Sequence, residues 1–549
     1  MAQQQPTHEV FNQSSELADV DAFAGHRPLQ EALRALAPGL DLAPLHALGR
    51  EVGSGAMLTQ ARLAHRFPPR LRSFDGAGRR IDEVEFHPAY HALMHSAASH
   101  GLQAAPWARG PGAHLLRAAG FLLFNGLEAA TMCPVSMSYA ATPALRGNPA
   151  VFETFGPGLC APAYDPRPLP GPRKAGLTMG MGMTEKQGGS DLRANTSRAE
   201  FDQDTAWGRC YRLTGHKWFF SAPMSDAHLV LAQTGAGPTC FFMPRLLPDA
   251  TRNGLRIQRL KDKLGNHANA SSEVEFDGAF GWLVGEEGRG IQQILEMGSL
   301  TRLDCALGSA GLMRQALALA LHHVAQRRAF GRLLIDQPLM RNVLADLALE
   351  VEGATALVMR LAAAGDAGEH APDAHAAALR RLLTPIAKFW VCKRGSHFGQ
   401  EAMECLGGNG YVEDDGHGVM ARLYREMPLN SIWEGAGNVM ALDLLRALRT
   451  PGVAEMLRVE LEPLRGAHRG AEAMAAALPD RLGAAADEGQ ARRLARDVAL
   501  LLQAALLRRQ APEGVFAAFC AARLDAASDV FGLLPPGCDV ELLLERARP

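Results

Sequence analysis

Apolar residues recur along this chain with two different periods, and the changes of period divide it. Up to about Leu177 they return every three or four positions, as in PLHALGREVGSGAMLTQARLAHRF and HALMHSAASHGLQAAPWARG, the spacing of helices that bury one face. Proline-rich joins such as DPRPLPGPRK at 165–174 interrupt them. Between about 178 and 282 the grain changes. YRLTGHKWFFS, AHLVLAQT, TCFFMPRLL, GLRIQRL and SSEVEFDG alternate or run apolar between glycine and aspartate turns, which predicts short strands. From about 283 the helical spacing returns in LGSAGLMRQALALALHHVAQRRAFG and LMRNVLADLALEVEGATALVMRLAAAG. TPGVAEM near 450 breaks it once more before a last helical segment, because proline and glycine end helices. The pattern therefore predicts a mostly α chain with a central β-domain. Its parts are a helical domain over 1–177, a β-domain over 178–282, a helical bundle over 283–447 and a C-terminal helical domain over 448–549. No repeat at a fixed period is visible.

Composition narrows the function more than the fold. Of 549 residues 47% are hydrophobic and 21% charged, and the formal charge is −2. Such a balance gives no global pull toward nucleic acid or membrane, so any polyanion site has to be local. Nine cysteines are scattered without CxxC spacing, which argues against a disulfide framework or a metal site and fits a reducing compartment. The start, MAQQQPTHEVFNQ, has neither the basic opening nor the apolar core of a signal peptide, and no later run approaches the roughly 20 apolar residues of a membrane span. The expected location is the cytoplasm.

Candidate chemistry begins with MGMTEKQGGSDL at 181–192, which gathers hydroxyls, charges and paired glycines in one loop. Glycine lets main-chain N–H groups approach a ligand closely, and Thr184 and Ser190 both donate and accept hydrogen bonds. The loop lacks the GxxxxGK[ST] phosphate pattern and opens no Rossmann unit, so a nicotinamide dehydrogenase is disfavoured; alone, it is as ordinary as a surface turn. Four further stretches accompany it. GHKWFFSAP puts Trp218, Phe219, Phe220 and Ser221 on a strand. QRRAFGRLLIDQPL carries Arg327, Phe330 and Gln337 on helical ground. ECLGGNGY is a glycine turn at a helix end, and NSIWEGAGNVM sets Glu434 just ahead of a fresh apolar helix. Taken singly, each has a structural explanation as core, cap or solvated face.

In this order the five stretches resemble the acyl-CoA dehydrogenase superfamily of FAD enzymes, over about 178–447. Members carry an MTE…GSD loop, a strand ending in KxWIS or similar, RxxFG followed by Gln, a GGxGY turn, and Trp or Tyr before Glu-Gly. The wording of TEKQGGSD, GHKWFFS, LKDKLGN and NSIWEG, with the HEVFNQ start and a C-terminal extension, is similar to one branch of the superfamily, flavoproteins of the bacterial adaptive response to DNA alkylation. This closer similarity covers nearly the whole chain.

The resemblance implies a helical domain, a β-barrel domain and a helical bundle, followed by a C-terminal helical domain. It implies an FAD site in which Met181, Gly182, Met183, Thr184, Gly189 and Ser190 line the ring, with Thr184 toward N5 and O4. Trp218, Phe219, Phe220 and Ser221 would wall the other face. Arg327, Phe330 and Gln337 would serve a neighbouring subunit's FAD, Glu404, Gly407 and Gly408 its adenosine side, and Trp433, Gly435 and Asn438 would close over the dinucleotide. Two chains per cofactor imply a homotetramer. Ser190 and Arg302 would face an acyl-CoA substrate.

Oxidising an acyl thioester to its enoyl form needs a base for the α-proton while hydride leaves the β-carbon. The resemblance offers two places for that base. One is Thr301, ahead of Arg302, where threonine cannot serve; the other is Glu434. Three departures stand out: Ala436 replaces a usual threonine, Glu404 a usual glutamine, and Lys186 a common proline. They weaken the expectation that rapid acyl-CoA oxidation is the main task.

From Arg446 to Pro549 fourteen arginines meet fourteen acids, so the segment as a whole is not basic. Between 490 and 523, however, six arginines face Asp497 and Glu513. Arg492, Arg493 and Arg496 share one helical face, with Arg508 and Arg509 further along and Arg446 and Arg449 at the segment's start. Such a stripe is either a solvated face or a contact for double-stranded DNA phosphates without sequence preference. Two expectations follow. The first is an FAD protein that binds and protects DNA while keeping residual acyl-CoA dehydrogenase activity. The second is a metabolic dehydrogenase for short branched acyl-CoA, its tail serving assembly only.

Overall fold

The computed structural model describes residues 7–370, 373–413, 419–478, 488–526 and 528–549. The chain forms two compact units, one of Ala56–Cys305 and one of Met1–Gly55 with Ala306–Pro549. Among the described residues no helix is long and apolar enough to cross a membrane.

The first unit opens with a feature that the helical period hides. Arg70–Phe74 (β1) pairs antiparallel with Arg80–Glu85 (β2), inside the stretch whose spacing predicts helix. The reason is local: Asp75 accepts from the main-chain N–H of Ala77 and Arg79, an aspartate turn that reverses the chain at DGAG. Helices then return, and Met132–Leu145 is buried at every position. Seven strands follow: Met179–Gly182 (β3), Arg198–Thr205 (β4), Gly208–Ser221 (β5), Ala227–Thr234 (β6), Gly237–Pro244 (β7), Leu255–Leu260 (β8) and Ser271–Val284 (β9). The ladder runs β6-β4-β5-β9-β7 and returns to β6, closing a barrel, with β3 added to β6 and β8 to β9. Alternation explains its two cores. On β6 and β7, Val230, Ala232, Phe241 and Met243 point into the barrel, while Leu229, Leu231, Cys240 and Phe242 pack outward with the helices Met132–Leu145 and Pro149–Cys160. Both faces of these strands are buried, so successive side chains enter different cores and the strands read as nearly continuous apolar runs.

The second unit is a helical bundle. Pro338–His370 packs on Ala374–Leu406, and Val419–Asn430, Gly437–Leu448, Ala491–Gln510 and Val540–Ala547 pack around that pair. Buried ion pairs tie distant segments together. Arg546 reaches Glu31 and Glu352 at 2.5 and 2.7 Å, and Arg523 reaches Asp346 and Glu350 at 2.5 and 3.2 Å. Arg523, one of the six arginines of the basic stretch, is therefore internal.

Candidate functional site

In the first unit the 181–190 segment begins as strand and ends as a clamped loop. Met181 and Gly182 finish β3. Beyond them the chain is held at four points. Asn195 donates to Met183 O at 2.8 Å, Trp218 N donates to Thr184 O at 2.8 Å, and Lys186 N donates to His216 Nε2 at 3.1 Å. The fourth point is Glu185, fully buried beside Lys217 with a 2.8 Å ion pair. Its carboxylate also accepts from Thr196 N and Oγ1 and from Ser197 N, while Lys217 Nζ gives another proton to Leu231 O at 2.8 Å. Burial pushes the Glu185 carboxyl up, but the Lys217 charge and hydrogen bond, with Thr196 N–H and Gln187, more than offset it and hold the group well below the usual carboxylate range. Burial draws Lys217 down, opposed by Glu185. Breaking such a pair from one side costs about 3–5 kcal/mol. Gly189 shows how tight the loop is, since a Cβ there would meet Thr184 Oγ1 at 2.3 Å.

Trp218 can bond the loop because β5 bulges at that point. Lys217 pairs with Val274 but Phe220 with Ser272, so one extra residue on β5 frees the Trp218 N–H from the ladder and re-aims the side chains. Phe219 is left 54% exposed and Phe220 fully buried. Phe220 packs in the barrel core near Phe276 and His228, so its ring lies inside the barrel and not on a ligand-facing wall. Lys261 Nζ lies 3.3 Å from the Trp218 ring centroid, a cation–π contact. Ser221 is half-buried, and Ser190 is exposed. Elsewhere in this unit Thr301 is buried, its hydroxyl bonded to Gly298 O at 3.3 Å, and Arg302 is half-buried.

In the second unit Glu434 sits in the turn between Val419–Asn430 and Gly437–Leu448. Its φ is +58° and that of Gly435 is +105°. An L-residue in this left-handed region costs about 1–2 kcal/mol, and such residues cluster at functional sites. The turn is tied down. Trp433 N donates to Leu429 O, its indole to Asn430 Oδ1 at 3.1 Å, and Lys388 Nζ donates to both Trp433 O and Gly435 O at 2.7 Å. Asn438 is exposed at the start of the following helix. Glu404 is exposed near the end of Ala374–Leu406, which Gly407 caps at φ +60° ahead of Gly408.

Arg327, Phe330 and Gln337 do not lie on a helix, contrary to their period. Gly290–Val324 ends before them, and Arg328–Ala329 (β10) pairs with Arg332–Leu333 (β11). The two loop residues, Phe330 and Gly331, have φ of +50° and +78°, the signature of a tight two-residue hairpin. Phe330 is 99% exposed at its tip. Arg327 donates to Asn12 O at 2.6 Å and Gln13 Oε1 at 3.1 Å, and Asn12 exchanges bonds with Arg328 O and N. The HEVFNQ and QRRAFG motifs, far apart in sequence, are thus adjacent. Gln337 donates to Ala329 O at 3.3 Å.

Arg492, Arg493 and Arg496 are exposed at the start of Ala491–Gln510, whose residues from Val498 to Leu507 are buried. Arg508 pairs with Glu513 at 2.5 Å and Arg509 with the buried Glu460 at 2.9 Å. Arg446 and Arg449 are exposed.

The residues that sequence reasoning missed are Glu185, Lys217, Asn195 and Lys388. The visible signal was a lysine inside an apolar strand or helix, which burial allows only with a partner.

Three families match the chain: the adaptive response protein AidB N-terminal domain over residues 12–166, the acyl-CoA dehydrogenase middle domain over 180–279, and the acyl-CoA dehydrogenase C-terminal domain over 288–449. The AidB protein of Escherichia coli (strain K12) is 47% identical over 528 residues, 95% of this chain and 96% of that protein. Bd2924 in its apo-form is similar in structure, with a TM-score of 0.84 and 30% identity over 92% of this chain and 100% of that one. So is Caenorhabditis elegans ACDH-11 in complex with C11-CoA, with a TM-score of 0.81 and 25% identity over 99% and 93% of the two chains.

Proposed function

The chain belongs to the acyl-CoA dehydrogenase family, and we propose on that premise that it is an FAD-dependent oxidoreductase of AidB type that binds double-stranded DNA without sequence preference and protects it from alkylation. The observation that carries the flavin reading is the clamped 183–190 loop on the bulged end of β5. It offers the hydroxyls of Thr184 and Ser190, main-chain groups beside Gly188 and Gly189, and the rings of Trp218 and Phe219. That set suits a flat heteroaromatic ring with polar edges. FAD, when bound, supplies a hydride acceptor for the acyl β-carbon. The chain's own part is to take the α-proton on the Glu434 carboxylate and to orient the acyl group through Ser190 and Arg302. Arg327, Gln337, Glu404, Gly407, Gly408, Trp433, Gly435 and Asn438 would hold the dinucleotide, some of them across subunits of a homotetramer. The exposed Phe330 supports the assembly, because a large apolar side chain on a hairpin tip favours a partner surface. Nine scattered cysteines, most of them buried, suit the reducing cytoplasm.

The exposed arginines at 492, 493 and 496 support the DNA reading, since guanidinium matches phosphate. A second reading, a metabolic dehydrogenase whose tail serves assembly, is favoured by the burial of Ala491–Gln510 within the bundle and by the internal pairing of Arg509. The deciding experiment follows flavin absorbance anaerobically against a panel of acyl-CoAs, isovaleryl-CoA among them, beside a DNA shift assay. Slow bleaching with salt-sensitive shifts supports the proposal. Fast bleaching without a shift supports the second reading, and folded protein that stays colourless with added FAD overturns both.

A further inference from the structure

The helix Ala374–Leu406 buries one long cation, Lys388, with 1% of its surface exposed. A buried ammonium is costly unless its protons are bonded. Two of its three protons go to Trp433 O and Gly435 O, each at 2.7 Å, and these are the carbonyls on either side of Glu434. A single side chain from another helix thus grips the residue before and the residue after the one held at φ +58°. The preceding helix holds only the Trp433 side, through Leu429 O and Asn430 Oδ1. Val419–Asn430 ends four residues before Glu434, and the N-cap of Gly437–Leu448, Ala436, makes no side-chain cap bond. The same face of Ala374–Leu406 seats the next turn as well: a Cβ on Gly437 would meet Lys393 Cε at 3.1 Å and Phe389 at 3.6 Å. A left-handed glutamate persists only where its surroundings over-determine it. Here Lys388 is the side chain that bonds both carbonyls flanking that glutamate.

We infer that Lys388 is a positioning residue for Glu434, fixing the left-handed turn that aims its carboxylate at the acyl α-proton. The inference rests on the reading of Glu434 as the base. Losing the grip lets Trp433 and Gly435 relax and swings the carboxylate, so the proton-removal step slows while acyl-CoA binding, made elsewhere, does not.

The test uses the full-length, flavin-loaded protein. Lys388→Met keeps an apolar stem and removes the donors. With isovaleryl-CoA, or whichever acyl-CoA bleaches the wild type, its limiting bleaching rate is expected to fall at least about tenfold, the scale of a misplaced catalytic group, while half-saturation moves less than about twofold. Amide hydrogen exchange over 433–436 is expected to quicken, with and without flavin. Lys388→Ala is expected to regain part of the rate with added propylammonium, a rescue that a merely structural loss would not give. Wild-type rate and wild-type exchange in Lys388→Met overturn the inference, as does loss of fold in both variants without amine rescue. Glu434→Gln separates the two claims. If it bleaches normally, the base reading fails; if it is dead while Lys388→Met is normal, only Lys388's role fails. Should no acyl-CoA bleach the wild type, the base reading falls and unchanged exchange in Lys388→Met overturns the rest.

Discussion

Glu434 holds a backbone conformation that disfavours its own side chain, and that tension separates function from stability at a single position. Replacing it with glycine removes a left-handed penalty of about 1–2 kcal/mol and returns about 0.4–1 kcal/mol to the freer unfolded chain. Glu434→Gly gains these backbone terms and loses the contacts of its carboxylate, so it is expected to stay within about 1 kcal/mol of the wild type in chemical denaturation and to be inactive in acyl-CoA bleaching. Glu434→Gln keeps the penalty and most of the side chain's hydrogen-bonding capacity but loses the proposed base, so it is expected to stay close to wild-type stability and to lose activity. A glycine variant destabilised by more than about 1 kcal/mol would mean that the side chain itself holds the turn. Phe330 is the companion case. It too is left-handed, at φ +50°, yet it is almost fully exposed, and under the proposed assembly the ring would lie against a partner chain.

The clamp between the 183–190 loop and β5 includes one buried ion pair, and the pH dependence of that pair follows from sign. The Glu185 carboxyl is held below its ordinary value in the fold. Its contribution is fully present above the unfolded value near 4.5 and drains away as pH falls toward the folded one. In that window the unfolded state binds one more proton, so the wild type loses about 1.4 kcal/mol per pH unit from this group. Glu185→Gln leaves Lys217 buried without its counter-charge and is expected to lose about 3–5 kcal/mol at pH 7. Its stability should then fall less steeply below pH 4.5, by about one proton. Denaturation curves at several pH values measure both, and parallel slopes for the two proteins would refute the assignment. Little of this was legible in the chain. The periods of three to four and of two revealed the helices and the barrel strands, because burial on one face or two leaves a local pattern. The Arg70–Glu85 hairpin was hidden by helical neighbours and the 328–333 hairpin by the apolar rhythm running into it, since two short strands carry too few residues to show a period. The Glu185–Lys217 and Lys388–Trp433 contacts join residues about thirty and forty-five apart, and a long-range pair imposes no spacing at all. Motifs singled out the candidate loop and turn, while the buried charges that hold them show only in the structure.

On the scale of the whole molecule the chain is near-neutral, so the proposed assembly and the proposed DNA contact each have to rest on a local surface and can be tested separately. If the 328–333 hairpin joins subunits, Phe330→Asp is expected to reduce the sedimenting mass from a tetramer while each chain stays folded, because the exposed ring makes no core of its own. The arginines divide by what they already touch. Arg492 and Arg493 are exposed, Arg496 is exposed although it pairs with Asp497, and Arg509 is committed to a carboxylate, Glu460, shared with Arg360. Burial alone would raise the Glu460 carboxyl, but the two guanidiniums hold it below its usual range, which marks Arg509 as part of the fold. The triple change Arg492→Ala, Arg493→Ala, Arg496→Ala is accordingly expected to leave the melting temperature near the wild type and to flatten the dependence of DNA affinity on salt. Each lost phosphate contact removes about 0.9 from the slope of log K against log salt, up to about 3 for the set. Arg509→Ala is expected to do the reverse, lowering the melting temperature and sparing the slope. Should the triple variant keep the wild-type slope, the basic end of Ala491–Gln510 is a solvated face and the DNA contact lies on other residues.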